Sequence, residues 1–423
     1  MKISVVGGGY VGLVSGACLA DLGHEVTIID TDPEKVRLIN KGQCPFYEQG
    51  LDGLLGRYAG TSLSATTAYA SVGGADIVFI CVGTPPDADG SADLQFIRSA
   101  AVAIGNELNN ARQYPVVAVK STVPPGTTET VVRPAVLQAA GKSGQEIGFV
   151  MNPEFLREGR AVADFMHPDR IVIGSDGPGA RAIVTRAYAG IPAPVVQTGI
   201  REAEMIKYVS NAFLATKISF ANETGNLCKR LGIDVYEVMK GVGLDARIGP
   251  QFLNAGAGYG GSCFPKDVSA LISLAERIGE DPVLLKSANS INERQPHRMV
   301  ALLQKRAGSL AGKRIAVLGL AFKDNTDDIR DSRAIPVIRD LLQAGVVVTA
   351  YDPMAVPNMK KVFPALTYCS TAADALRGAD GCLVMTEWPE FEQLGREFDL
   401  MADRIIIEGR RILSCDGAEG ICW

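Results

Sequence analysis

The chain of 423 residues predicts the α/β class, with parallel strands in its first and last parts and an all-helical stretch between them. Three observations carry this. Short β-rich runs alternate with helix-like stretches and Gly/Pro turns up to about residue 198. From Gly199 to Arg306 that rhythm gives way to long helical periodicity with few strand candidates, and after Lys313 the opening pattern returns as R-I-A-V-L-G-L-A-F-K. At roughly 100–200 residues per domain, the length asks for two or three domains, and the breaks in pattern place them at 1–198, 199–307 and 308–423.

In chain order, K-I-S-V-V leads into Gly7, and Val11 to Leu22 reads as a helix with Gly12 and Gly16 on its inner side. The uncharged run from Ile3 to Ala20 has the look of a signal peptide, but glycines at 7, 8, 9, 12 and 16 and the acids Asp21 and Glu25 make strand, turn and helix the better reading. Strands follow at Glu25–Asp30, Ile77–Val82, Val116–Lys120 and Ile171–Gly174. The middle offers helices over Glu202–Lys229 and Val283–Leu303. The first, about 28 residues and roughly 40 Å long, carries Met205, Val209, Phe213 and Ile218, which suit either an intramolecular core or a face for a partner copy. The returning pattern then gives a strand, a helix to Ala344-Gly345 and the strand V-V-V-T-A-Y-D ending at Asp352. Gly319 stands where the first glycine of the opening turn stood, but Ala321 and Asn325 replace the rest, so the second half is expected to keep the fold without the dinucleotide.

Composition excludes several classes. The chain is 47% hydrophobic and 21% charged, far from disordered or fibrous proteins. Its net charge of −5, without a block of like charges, leaves no nucleic-acid footprint. Nine scattered cysteines with no C-x-x-C pair, and three isolated histidines, argue against a disulfide framework and against a metal. A reducing cytoplasm fits best, with no membrane anchor.

Two strings carry chemistry. Gly7-Gly8-Gly9-Tyr10-Val11-Gly12 follows a strand and opens a helix, with Asp30 ending the next strand. Gly7 permits the tight turn, Gly9 lets backbone approach a pyrophosphate, Gly12 allows close helix packing, and the helix N-terminus faces the phosphates. Asp30 would take a ribose diol and repel a 2′-phosphate, so the cofactor is NAD rather than NADP, with Lys35 in support; a flavin site or an empty glycine turn is the bland alternative. In the second string, Gly258-Tyr-Gly-Gly-Ser-Cys-Phe-Pro-Lys-Asp267, a cysteine precedes a Pro-initiated helix, and both a helix N-terminus and Lys266 activate a thiol. Cys263 and Asp267 share a helix face, as do Lys207 and Asn211. A single cysteine is more often a small buried hydrophobe, as the other eight are read here, and the Lys207/Asn211 pair taken alone reads as solvated surface.

With G-G-G-Y-V-G-L at 7–13, V-G-T-P at 82–85, K-S-T-V-P-P-G-T at 120–127, N-P-E-F-L-R-E-G at 152–159 and G-G-S-C-F-P-K-D at 260–267, the chain resembles the UDP-glucose/GDP-mannose dehydrogenase family from end to end, and within it the UDP-glucose 6-dehydrogenases. The resemblance implies an N-terminal Rossmann domain for NAD, a central helical dimerisation domain and a C-terminal Rossmann-like domain for the nucleotide sugar. It also implies a four-electron oxidation of a sugar C6 alcohol to a carboxylate with two NAD in turn. Cys263 would form a thiohemiacetal and then a thioester, Lys207 and Asn211 would stabilise oxyanions, and Asp267 would assist proton transfer. Glu154 would activate the hydrolytic water and Thr122 would hold a water or the nicotinamide region.

By the same carry-over, Tyr10, Val11, Thr84, Glu158 and Lys266 join the NAD contacts, with Arg330 reaching the pyrophosphate. Glu154, Phe155, Leu156, the loop Phe252, Leu253, Asn254 to Gly256, then Tyr259, Gly260, Phe322, Lys323 and Arg410 line the substrate, with Arg247 entering from a neighbouring subunit. The chain departs from the family pattern at Glu408-Gly-Arg410, where Asp-Gly-Arg is usual, and at Asn254, where lysine is frequent. Both departures bear on which sugar nucleotide is taken, UDP-glucose ahead of GDP-mannose or a UDP-N-acetylhexosamine. The rival readings are a two-electron dehydrogenase without a covalent step and an inactive NAD-binding scaffold.

Overall fold

A computed structural model describes residues 1–109, 111 and 114–423. They form two compact units, Met1–Ser210 and Asn211–Trp423. The first unit holds an eight-stranded sheet of β1 (Lys2–Val6), β2 (Glu25–Ile29), β3 (Leu63–Thr66), β4 (Ile77–Ile80), β5 (Val116–Val119), β6 (Gly148–Met151), β7 (Ile171–Ser175) and β8 (Val195–Thr198). Its order is β3-β2-β1-β4-β5-β6-β7-β8. All neighbours run parallel except β6 and β7. The central strands I-V-F-I, V-V-A-V and G-F-V-M are buried along their whole length, as strands covered on both faces must be.

Every strand expected in this half forms, and β3, β6 and β8 are added. Each of these has four residues, too few for a period to show, and β8 is an exposed edge. The strands expected to reach Val82 and Lys120 stop at Ile80 and Val119, because the N–H groups of Lys120 and Ser121 both turn onto Ile80 O at 2.9 and 3.0 Å. The apolar run near the start becomes β1 and the helix Tyr10–Asp21. Gly16 of that helix lies so close to β2 that a Cβ would meet Ile28 at 2.3 Å. Among the described residues no helix is long and apolar enough to cross a membrane.

The long helix Ile200–Leu231 extends both ends of the predicted one. Glu202 in its first turn and Lys229 and Arg230 in its last suit the helix dipole. Its residues from Asn211 onward belong to the second unit, which adds the helices Val235–Gly243, Phe264–Arg277 and Val283–Ala307. The last runs one turn past the predicted Leu303. No strand lies between residues 199 and 313 among the described residues.

A second sheet follows, made of β9 (Arg314–Leu318), β10 (Val347–Tyr351), β11 (Thr367–Tyr368), β12 (Gly381–Val384), β13 (Ile406–Glu408) and β14 (Ala418–Gly420). It is parallel throughout, in the order β11-β10-β9-β12-β13-β14. The internal repeat is therefore structural. Gly319 turns at φ +92° as Gly7 does at +103°. The two halves differ just beyond: one helix starts directly behind Gly9, whereas the other waits until Ala334, past a long loop.

Candidate active site

The opening turn is built by three glycines with different duties. A Cβ on Gly7 would meet Cys81 O at 2.7 Å, and one on Gly12 would meet Gly7 O at 1.8 Å, so neither position admits a side chain. Gly9, the N-cap of the helix Tyr10–Asp21, faces nothing within 4 Å. That open cradle in front of the free N–H groups of a first helical turn fits a pyrophosphate. Asp30 is the second test of fit. Its carboxylate accepts from Gly8 N at 2.7 Å and Asp32 N at 2.9 Å, with Lys35 Nζ 4.0 Å away. Of about four acceptor sites on a carboxylate, two remain, the number a ribose diol needs.

The matching acid of the second sheet is Asp352, and it has none left. It accepts from Leu320 N, Ala321 N, Met354 N and Ala355 N and from the Trp388 indole N–H, all within 3.0 Å, while 3% exposed. A ribose diol would find no free acceptor on this carboxylate.

Also in the first unit, Glu154 Oε1 pairs with Lys207 Nζ at 3.0 Å, both nearly inaccessible. Leu156 N donates to Glu154 Oε2 at 2.5 Å. Burial alone would push this carboxyl up, but the charge of Lys207, the Leu156 N–H and the charge of Lys120 outweigh it and hold Glu154 below the ordinary glutamate value. The Phe155 ring lies between two cations, with Arg170 at 3.7 Å and Lys207 at 5.3 Å from its centroid. Thr84 is buried and donates its hydroxyl to Thr122 O at 2.9 Å.

In the second unit, Cys263 is the N-cap of the helix Phe264–Arg277, and its carbonyl accepts from Asp267 N at 3.0 Å. Asp267 is 1% exposed and takes Asn211 Nδ2 at 2.6 Å on one oxygen and Lys266 Nζ at 2.5 Å on the other. The lysine expected to serve the thiol thus has its ammonium on the aspartate. Asn211 and Lys207 are 6% and 3% exposed, which overturns the surface reading of that pair.

The glycine loop is pinned from several sides. Asn222 and Gln295 hold Gly256 N and O, Asn292 holds Tyr259 N and O, and Arg410 Nη2 donates to Gly258 O at 2.6 Å while its Nε donates to Glu387. A Cβ on Gly260 would meet Asp331 O at 2.2 Å, and one on Gly261 the Phe322 ring at 2.7 Å. Phe252 sits in the left-handed region at φ +63°, and its ring lies 6.2 Å from that of Phe264. Leu253 is buried and Asn254 exposed.

The structure thus gathers Phe252, Leu253, Gly256, Tyr259, Gly260, Cys263, Asp267, Phe322 and Arg410 in one unit, and Glu154, Phe155, Leu156 and Lys207 in the other. Lys323 stands 5.9 Å over the Phe322 ring. Arg330 is exposed and pairs with Asp328, and Arg247 is 88% exposed beside Asp245. Glu408, one of the two departures, is a brace: its Oε2 accepts from Ile412 N and Leu413 N at 3.1 Å. Tyr10 gives its hydroxyl to Glu48 and accepts from Gly159 N at 3.0 Å.

Two supports escaped sequence reasoning. Buried Glu48 accepts from Gly159 N and Ala161 N at 2.7 Å and so fixes the loop of Glu158. Buried Glu204 accepts from Gly126 N, Thr128 N and Thr128 Oγ1 and fixes the loop that carries Thr122. Each is a lone acid far along the chain from its partners, with no local signal.

Two Rossmann-like sheets, only the first with an open ribose acid behind a glycine turn, define an NAD-dependent dehydrogenase. Residues 1–191, 201–294 and 316–415 match, in turn, the NAD binding domain, the central domain and the UDP binding domain of the UDP-glucose/GDP-mannose dehydrogenase family. The chain belongs to that family. It is 50% identical to UDP-glucose 6-dehydrogenase AglM of Haloferax volcanii over 98% of this chain and 97% of that one. With UDP-glucose 6-dehydrogenase TuaD of Bacillus subtilis the identity is 43% over 98% and 90%. A solved UDP-glucose dehydrogenase from Pyrobaculum islandicum superposes with a TM-score of 0.95 at 43% identity, covering 100% of this chain and 98% of that one. A UDP-D-ManNAc dehydrogenase from Pyrococcus horikoshii gives 0.87 at 28%, covering 100% and 99%.

Proposed function

We propose that the protein oxidises UDP-glucose to UDP-glucuronate in two NAD-dependent steps joined by a covalent adduct on Cys263. The observation that carries this reading is the placement of Cys263 at a helix N-cap, one turn from the buried Asn211–Asp267 bond. NAD would be held by the Gly7–Gly12 turn and Asp30, with Tyr10, Val11, Lys35, Thr84, Thr122, Glu158, Lys266 and Arg330 as further contacts, and would supply the hydride acceptor for each oxidation.

In the first oxidation the C6 hydroxyl loses a proton and a hydride to give the aldehyde. The Cys263 thiolate then adds to that carbon, forming a C–S bond, and the oxyanion takes a proton. Lys207 and Asn211 stabilise the oxyanions, and Asp267 relays the proton. Loss of a second hydride and a proton from the thiohemiacetal leaves a thioester. Glu154, ionised at neutral pH, takes a proton from water as it attacks; the C–S bond breaks and the thiol is restored.

Arg410, Lys323 and the loop Phe252–Gly256 hold the nucleotide sugar. The enzyme works in the cytoplasm as a homodimer, an assembly supported by the exposed apolar face of the long helix: Met205, Val209, Phe213, Phe220, Leu227 and Leu231. Of the four residues first assigned to such a face, Ile218 instead packs inward beside Tyr259 and Val268.

The test is anaerobic NADH yield at limiting UDP-glucose, with GDP-mannose and UDP-N-acetylmannosamine alongside. Two NADH per UDP-glucose are expected; one would defeat the four-electron route, and two from another sugar only would move the specificity. Cys263→Ser is expected to lose steady turnover by on the order of 10³-fold or more. Full turnover in that variant would defeat the covalent step.

A further inference from the structure

Beyond the carboxyl ends of β4, β5 and β6 lies a cation without the partner its burial calls for. Lys120 directly follows β5 and is 3% exposed. Its Nζ donates to Asn152 Oδ1 at 3.2 Å and to Tyr188 OH at 3.0 Å, and Tyr188 OH donates to the same Asn152 oxygen at 2.5 Å. The rings of Phe79, Phe165 and Tyr188 surround it, with centroids 5.9, 5.8 and 5.6 Å away. Among the described residues no carboxylate stands within ion-pair distance of it. An ammonium so placed is costly, and three ring faces with two neutral oxygens offset only part of that cost.

Its tie to Glu154 runs through Asn152, whose Oδ1 accepts from Lys120 Nζ at 3.2 Å. Asn152 N is bonded to Val119 O at 2.8 Å, so the turns leaving β5 and β6 run side by side, and Glu154 is two residues further on. The field of Lys120 reaches Glu154 and also the Cys81 thiol at the end of β4. We propose that Lys120 is a positioning residue of the Glu154 site: a second buried cation that, beside Lys207, keeps the carboxylate ionised and seats the Asn152-Pro153-Glu154 turn. This rests on the reading of Glu154 as the base of the hydrolytic step.

Among the described residues, the groups that act on Glu154 are these. Lys207 comes from the long helix, the Leu156 N–H from its own loop and Lys120 from the position just after β5. Cys81, whose thiol burial pushes up to about 12, comes from β4 and is neutral. Arg170 stands over the neighbouring Phe155 ring, 3.7 Å from its centroid. A change in Glu154 titration on losing Lys120 is therefore attributable.

The test compares Lys120→Met, apolar enough for the three rings, with Lys120→Arg and the wild type. The first readout needs no substrate: the infrared carboxyl band of Glu154 in the full chain, identified by its loss in Glu154→Gln and followed against pH. Lys120→Met is expected to move its midpoint up by about 1 pH unit or more, while Lys120→Arg leaves it in place. The acid limb of kcat for NADH formation from UDP-glucose is expected to move with it, at unchanged KM for NAD.

An unmoved midpoint in folded Lys120→Met overturns the proposal. If that variant does not fold, Lys120→Gln, which still donates to Asn152 or Tyr188, carries the same test. Failure of both neutral variants beside a folded Lys120→Arg would make Lys120 a structural cation alone and equally overturn the positioning role. A wild type that makes no NADH from UDP-glucose, with the infrared shift intact, would defeat the substrate reading and leave Lys120 in its role.

Discussion

At Glu154 burial and charge pull in opposite directions, and charge wins. Burial favours the acid form, while Lys207, the Leu156 N–H and Lys120 favour the carboxylate, so the folded-state value lies below that of the unfolded chain. The sign follows: the ionised form contributes stability above the ordinary glutamate value of about 4.3, and that contribution is lost as pH falls through the lower folded value. If Glu154 is the hydrolytic base, the acid limb of NADH formation lies below that ordinary value, and Glu154→Gln removes it while slowing hydrolysis by about 10²–10⁴-fold. A pH–rate profile checks both; an acid limb above the ordinary range would assign the base to another group. Cys263 and Glu154 were legible because each sits in a dense motif. Glu48 and Glu204 were not, since their partners lie 111 and 76 positions away. Lys120 stood in a motif, yet nothing local tells a buried lysine from a surface one.

The opening turn separates the structural duty of a glycine from its ligand duty. Gly12→Ala drives a methyl into Gly7 O, whereas Gly9→Ala places one in open space at φ −74°, a conformation alanine adopts freely. Gly9→Ala is expected to keep the melting temperature while raising KM for NAD roughly ten-fold, about 1.4 kcal/mol. Gly12→Ala is expected to lose about 1–3 kcal/mol of stability by overpacking. Calorimetry and NAD titration of both variants check this; equal behaviour would undo the distinction. Elements with periods long enough to read, such as the helix Ile200–Leu231, emerged within two residues of their predicted ends. The four-residue strands β3, β6 and β8, and the reversal of β7, rest on pairings that no local pattern announces.

Over the whole chain, large apolar side chains recur exposed along the long helix at Met205, Val209, Phe213, Phe220, Leu227 and Leu231. Phe213, Leu227 and Leu231 are 63%, 60% and 72% exposed, more apolar surface than a helix left in water usually shows. Phe213→Asp is expected to weaken self-association by about 2–4 kcal/mol while the secondary structure stays intact. Sedimentation over a concentration series, with circular dichroism alongside, reads both; unchanged association would overturn the proposed use of this face in a homodimer. The duplication of the sheet was visible in sequence because β9 and the strand before Asp352 repeat the opening composition. The late start of the helix at Ala334 was not, because a loop of mixed polarity between them has no period to break.

The contrast between Asp30 and Asp352 carries a thermodynamic consequence. A ligand stabilises only the fold that has acceptor sites to offer it, by an amount that grows with the logarithm of its concentration. With NAD on Asp30, the folding equilibrium of the first sheet is linked by mass action to the nicotinamide pool around it. Asp352 already holds four amides and an indole of its own chain, so at that edge the second sheet carries a permanent internal ligand and is insulated from the same fluctuation.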